Sequence, residues 1–195
     1  MLFRSDYDAT STFIVKCYGT YRPYFNDGGD KAKLIGLQIG ATAHTSMRYA
    51  FYGCSALVTM VGYANTSAVT SMYAMFGGCT AFNQALPASF DTSACTSMSN
   101  MFNGCTAFKQ SLAAFNIAAV TTITDMLTNC NINDTGTTTN YDNTLIAWAA
   151  QDLVDSKTLT ATNCKYGGDA GSGGQQARTA IATDDLWTFV DGGHI

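Results

Sequence analysis

VTSMYAMFGGCTAFNQALPASFDTSACTSMSNMFNGCTAFKQSL, residues 69–112, carries the string TSM-x-x-MF-x-GCTAF-x-Q-x-L twice, with Thr70 aligned on Thr96 and Cys79 on Cys105. A weaker copy precedes it, TSMRYAFYGCSAL from Thr45 to Leu57, and another follows, TTITDMLTNC from Thr121 to Cys130. Cys54, Cys79, Cys105 and Cys130 keep step with the copies. A repeat of this length implies a solenoid, in which each copy is one coil stacked on the next. A single coil cannot bury its Met/Phe side alone, so stacking is what supplies a core.

Within each copy an apolar set follows Thr-Ser or Thr-Thr at i, i+3, i+4: Met47/Ala50/Phe51, Met72/Met75/Phe76, Met98/Met101/Phe102 and Ile123/Met126/Leu127. That spacing predicts one face of a short helix, with the Thr or Ser capping its first amides. Glycine before cysteine (53–54, 78–79, 104–105) suits a left-handed exit. A short strand is expected next in each copy: 57–61, 82–86 and 108–112, with Phe82, Gln84 and Leu86 inward, and Phe108, Gln110 and Leu112 likewise. The outward positions on that face are Val58, Met60, Asn83, Ala85, Lys109 and Ser111. They differ between copies where the buried ones agree, which makes them the candidate binding residues.

The chain has 195 residues, enough for one extended domain with a core. It is 47% hydrophobic and 12% charged, and its acids are all Asp. Such a composition favours turns, caps and strands over long solvated helices. A net charge of −4 with scattered Lys and Arg argues against a nucleic-acid partner. No run of about 18 apolar residues is present, so no membrane insertion is expected. Residues 1–15 hold no apolar core of a secretory signal, which points to synthesis without one.

The organisation expected is a β-rich N-terminal cap over 1–43, repeats over 44–133, and a mixed C-terminal cap over 134–195. Thr12–Cys17 and Lys33–Gly40 read as strands by β-branched content and alternation. Between them Tyr18, Tyr21, Tyr24 and Phe25 precede a turn at Asn26–Asp30. That aromatic cluster reads as a cap on the open end, as a carbohydrate-stacking platform, or as a subunit contact. Residues 134–140 form a polar loop without the spacing of a calcium site. Leu145, Trp148 and Ala149 predict a helix over 144–153 capped by Asp142 or Asn143. Thr158–Thr162 and Leu186–Val190 read as strands, Gln175–Thr183 as a helix, and 166–174 as a glycine-rich loop.

Seven cysteines include the four in phase, which read as buried packing thiols; a disulfide between coils or a metal site are the other readings. Parallel side chains are poor disulfide geometry, and the absence of CxxC disfavours metal. His44 and His194 stand far from the cysteines in sequence. No nucleophile–base pair, zinc motif or phosphate loop is present, and Asp184-Asp185 reads as a helix-to-strand turn; neither an enzyme nor a cofactor is expected.

The repeats resemble the BspA-like leucine-rich repeats of mycoplasma surface lipoproteins. The resemblance rests on Val69-Thr70-Ser71-Met72, Met75-Phe76, Cys79, Phe82-Asn83-Gln84, Leu86 and Phe90-Asp91-Thr92-Ser93. Thr96 to Leu112 carry it again, with Lys109 in place of Asn; Phe90 and Phe115 stand where the family usually has Trp. The implied fold is an α/β leucine-rich-repeat-type solenoid of about four coils, short helix plus short strand each, between two caps. The C-terminal section resembles a tail found behind such repeats in bacterial and phage reading frames. Its matches are Leu145 and Trp148, Tyr166, Ala177-Arg178, and Trp187 with Asp191-Gly192-Gly193. Arg178 is expected to pair with an Asp or with loop carbonyls, or to serve a ligand.

The resemblance implies a non-enzymatic phage virion surface protein, a tail or fibre tip or a capsid decoration, that binds the host surface. Its partners would be a host-surface protein or glycan, other virion proteins, or further copies of itself. A bacterial cell-surface adhesin of the same family and a purely architectural virion subunit are the alternatives.

Overall fold

The computed structural model describes residues 13–17, 31–39, 44–61, 65–86, 89–132, 139–167 and 173–192. The two strands expected near the N-terminus are β1 (Phe13–Cys17) and β2 (Leu34–Ile39). They pair in parallel, and β2 pairs in parallel with β3 (Thr59–Val61), Leu37 opposite Met60. The Tyr18–Phe25 cluster, the turn that follows it and the 134–138 loop lie outside the described residues.

The four copies stack through isolated parallel bridges, Ser46 to Ser71, Ser71 to Ser97, and Ser97 to Thr122. We call the segments ending at Cys54, Cys79, Cys105 and Cys130 rungs one to four. The helix expected in each rung does not form; each is a run of tight turns. The amides of Met47, Tyr49, Phe51 and Gly53 donate to the carbonyls of Ser71, Tyr73, Met75 and Gly77 in the next rung. The amides between them close three-residue turns within the rung, Ala50 to Met47 and Cys54 to Phe51. Rung two treats rung three in the same way, as rung three treats rung four.

The backbone explains why a helix is excluded. Tyr49, Ala74, Asn100 and Asp125 share one position in the four rungs and have φ of 54°, 51°, 59° and 57°. Gly53, Gly78 and Gly104, with Asn129 in rung four, are left-handed four residues later. A left-handed residue interrupts the i to i−4 ladder of an α-helix. Two turns placed end to end bury positions i, i+3, i+4 and i+7, the same set a helix would, so side-chain spacing could not separate them. The threonines do not cap within their own rung either. Thr70, Thr96 and Thr121 hydroxyls donate to the carbonyls of Thr45, Thr70 and Thr96 in the rung before, at 3.1, 3.1 and 3.0 Å.

After rungs one, two and three the chain leaves the turns for a short non-helical segment. Only the first such segment holds a strand, β3; Phe82–Leu86 and Phe108–Leu112, expected as strands, are not. Carboxamides replace the backbone ladder there. Gln84 accepts from the Met60 amide and donates to the Met60 carbonyl at 3.0 Å. Gln110 donates to the Asn83 carbonyl at 3.1 Å. Both glutamines are thus half-buried bridges between neighbours and not core residues.

The interior is a shared column of rings and sulfur. Phe51, Phe76 and Phe102 stack at 5.3 and 5.4 Å, and Phe82 stacks on Phe108 at 6.0 Å. All five are fully buried, as are the methionines at positions 72, 75, 98 and 101. Each fully buried side chain of this size contributes about 1.5–3 kcal/mol.

The stacking continues past rung four. The Leu127 amide donates to the Thr160 carbonyl at 3.1 Å, the contact each earlier rung makes with its successor. Cys164 closes the same turn onto Ala161 that Cys130 closes onto Leu127. Residues 157–164 therefore form a fifth rung, including β4 (Thr158–Ala161), which pairs in parallel with β5 (Thr188–Asp191). The chain between rungs four and five carries α1 (Asn140–Ala149), and α2 (Gly173–Asp184) packs on it. α1 starts earlier than its apolar pattern implied. Its cap is Thr139, in a reciprocal capping box with Asp142, and not Asp142 or Asn143. α1 docks on the extended part of the third copy: Leu112 donates to the Thr144 hydroxyl, and the Trp148 indole donates to the Leu112 carbonyl.

Candidate binding faces

Two faces of the stack offer themselves, and the first is the one the repeat alignment singles out. Along the extended segments Val58 is 45% exposed, and Asn83, Ala85 and Lys109 are exposed too. Ser111 is half-buried, its hydroxyl accepting from the Ala113 amide at 3.2 Å. Met60, expected outward, is buried in the core. The pairing of β3 with β2 turns Met60 toward the same interior as Leu34. Asn83 is already engaged: its side-chain oxygen accepts from the Lys109 amide at 2.9 Å and from Gln110 at 3.0 Å. What remains outward is an apolar and cationic strip, Val58, Ala85 and the Lys109 side chain.

The second face lies on the turn edge, and the sequence reading did not single it out. Tyr49, Tyr52 and Tyr73 meet there, Tyr49 edge-on to Tyr52 at 5.6 Å and to Tyr73 at 5.2 Å. The Arg48 guanidinium lies over the Tyr73 ring at 4.8 Å. Hydrogen bonding to Tyr49, with some burial, holds the Tyr73 phenol above its ordinary range, so it stays neutral. Asn100 and Asn103 form the opposite wall, joined by a hydrogen bond of 2.9 Å. The groove between has a volume of about 350 Å³. Its signal was in the aligned columns: Tyr49, Ala74, Asn100, Asp125 and Tyr52, Gly77, Asn103, Thr128. Assigned to a helix, those columns read only as a solvated side.

The in-phase cysteines are tied into the stack. The thiols of Cys79, Cys105 and Cys130 donate to the carbonyls of Phe51, Phe76 and Phe102 in the rung before, at 3.0, 2.9 and 2.9 Å. Burial holds all three thiols well above their ordinary range and pushes Cys54 and Cys164 up to about 12. Cys54, Cys79, Cys95, Cys105, Cys130 and Cys164 are free thiols whose burial disfavours the thiolate form. Among the described residues no three His, Cys or acidic side chains gather as metal ligands. His44 is buried at the head of rung one. Asp184 ends α2 and Asp185 follows it, at the turn into β5.

The tail residues converge as well. Arg178 donates to Asp191 at 2.8 Å, and Tyr141 donates to the same carboxylate at 3.4 Å. The guanidinium lies over Phe189 at 4.8 Å and Tyr166 at 5.6 Å. Trp187 donates to the Val154 carbonyl at 2.9 Å. Arg178 thus finds the Asp partner expected of it and ties α2 to β5. Among the described residues no helix is long and apolar enough to cross a membrane.

The family model described as "Mycoplasma protein of unknown function, DUF285" matches residues 42–163. The match spans rungs one to four, takes in α1, and ends within the fifth rung, one residue before Cys164. Neither the comparison with curated proteins nor that with solved structures returns a match.

Proposed function

The chain belongs to this mycoplasma-protein family of unknown function, and from that membership we propose that it is a non-enzymatic binding scaffold of the BspA-like leucine-rich-repeat type. Its rungs are the coils of a short solenoid that displays side chains on a stiff frame. The observation that carries the reading is the division of labour along the repeat. Positions facing inward stay apolar in all four rungs and keep the closing Cys, while the exposed column changes from Val58 to Asn83 to Lys109 and the turn-edge column from half-buried Tyr49 to buried Ala74 to half-buried Asn100. A rigid frame loses little conformational entropy when it binds.

The setting proposed is the surface of a phage virion, at a tail or fibre tip or as a capsid decoration, where the chain attaches to the host surface. Its support is the tail motif behind the repeats, whose Tyr166, Arg178 and Asp191 meet beside β5 while Trp187 bonds the Val154 carbonyl. The mycoplasma family match favours a second reading, a bacterial cell-surface adhesin of the same repeat type. Gold-labelled antibody against the full chain separates the two by electron microscopy. Label on purified particles, with added protein blocking adsorption, supports the virion receptor binder. Label on the bacterial envelope supports the adhesin. Label buried until particles are dissociated leaves the architectural role and sinks the binding proposal.

A further inference from the structure

We propose that the tyrosine-lined groove on the turn edge is a carbohydrate site that takes one pyranose ring of a surface glycan. The proposal rests on the surface-binding reading above and supplies its site and ligand class.

Shape is the first argument. Rung two places Ala74 and Gly77 where rung one has Tyr49 and Tyr52 and rung three has Asn100 and Asn103. The backbones of rungs one and three lie about 10 Å apart, twice the usual strand spacing, and Tyr73 of rung two rises beside the interval. The Tyr52 ring leans over Gly77, where a Cβ would stand 2.9 Å from its Cδ2. The resulting groove, about 350 Å³, lies within the range of small-molecule sites.

Chemistry is the second. A pyranose has an apolar face of C–H bonds and a rim of hydroxyls. Aromatic faces are electronegative and attract polarised C–H groups, while phenols and carboxamides exchange hydrogen bonds with hydroxyls. The groove has one wall of each kind. The Asn103 amide donates to the Asn100 oxygen, which leaves the Asn100 NH₂ and the Asn103 oxygen as an adjacent donor and acceptor. Arg48 braces the rings and adds a planar set of donors at the rim.

Backbone strain is the third. Tyr49 has φ of 54°, a conformation suited to Gly, Asn or Asp; Asn100 and Asp125 occupy it in other rungs. The conformation belongs to every rung, Ala74 adopting it at 51° as well, so what sets rung one apart is a bulky aromatic kept at a position that Asn or Asp would fill with less strain.

The test is an NMR titration of the labelled full chain with methyl hexopyranosides, N-acetylhexosaminides and a hexuronic acid. Saturable shifts at Tyr49, Tyr73 and Asn103 are expected with at least one of them. Y49N should bind that sugar at least tenfold more weakly while its melting temperature holds or rises, since Asn relieves the strain. Asn103→Ala should also weaken binding, and Gln176→Ala, exposed on α2 away from the groove, should leave it unchanged. No groove shifts with any probe, or full affinity in Y49N, overturns the site. Adsorption of the chain to bacterial cells separates the two readings. Adsorption undiminished in Y49N, with no groove shifts, sinks the groove alone. Groove binding without adsorption to any cell sinks the surface role alone.

Discussion

A glycine column shows how one atom decides local geometry. Gly53, Gly78 and Gly104 sit at φ of 73°, 73° and 76° at the same point of three rungs. A Cβ on Gly78 would lie 3.5 Å from the Gly53 Cα, an ordinary contact, so crowding adds nothing. Only the left-handed backbone is costly, and Gly78→Ala should lose about 1–2 kcal/mol in urea denaturation. Gly78→Asn should lose less, since Asn129 occupies the equivalent place at φ 59°. The thiols respond to pH. Their folded-state pKa is raised by burial, so below about pH 9 both folded and unfolded forms are protonated and stability is unaffected. Above it the unfolded chain loses these protons first. Stability should fall between about pH 9 and 12, by up to about 1.4 kcal/mol per pH unit for each buried thiol. Denaturation midpoints at pH 8, 9 and 10 check this. Thiol reagents at pH 8 should label the buried cysteines no faster than the protein unfolds.

Among the elements, α1 depends most on a single buried acid. Asp142 is 1% exposed and accepts from the Thr139 amide at 2.7 Å and from the Gly167 amide at 3.1 Å. It thereby holds both the helix start and the approach to α2. Asp142→Ala should cost about 3 kcal/mol or more, since buried donors lose a charged acceptor. Gly174 is fixed by the same contact: a Cβ there would lie 1.7 Å from the Asp142 carboxylate. Gly174→Ala should therefore displace α2, seen as early amide exchange in α2 and β5 while rungs one to three stay protected. The apolar pattern made α1 legible, but its start was misplaced. Asp142 looked like a cap because it is polar before an apolar run; the reciprocal bond with Thr139 puts the cap three residues earlier.

At the scale of the whole molecule, the stack is held by rings from successive rungs. Phe76 touches the rings of its neighbours on both sides, Phe51 at 5.3 Å and Phe102 at 5.4 Å, and Phe82 at 4.7 Å. Phe76→Ala should cost about 3–5 kcal/mol in equilibrium denaturation. A loss of less than 1 kcal/mol would mean that the rungs do not share this core. The outward Val58→Ser, by contrast, should change stability by no more than about 0.5 kcal/mol.

The period of the chain, the inward set at i, i+3, i+4 with its closing Cys, and the β1, β2 and α2 segments were determined by the sequence alone; the burial of Met60 was not. They follow from local content and from exact repetition. Tertiary structure decided what local content leaves degenerate. Tandem turns and a helix bury the same i, i+3, i+4 positions, and only amides that reach the next rung tell them apart. Cys164 is out of phase with the other cysteines, yet it closes a fifth rung, because hydrogen bonds and not sequence distance set the stacking. The tyrosine groove arises from three rungs at once, with Ala74 and Gly77 of rung two lying between Tyr49 and Tyr52 of rung one and Asn100 and Asn103 of rung three, and Tyr73 beside them.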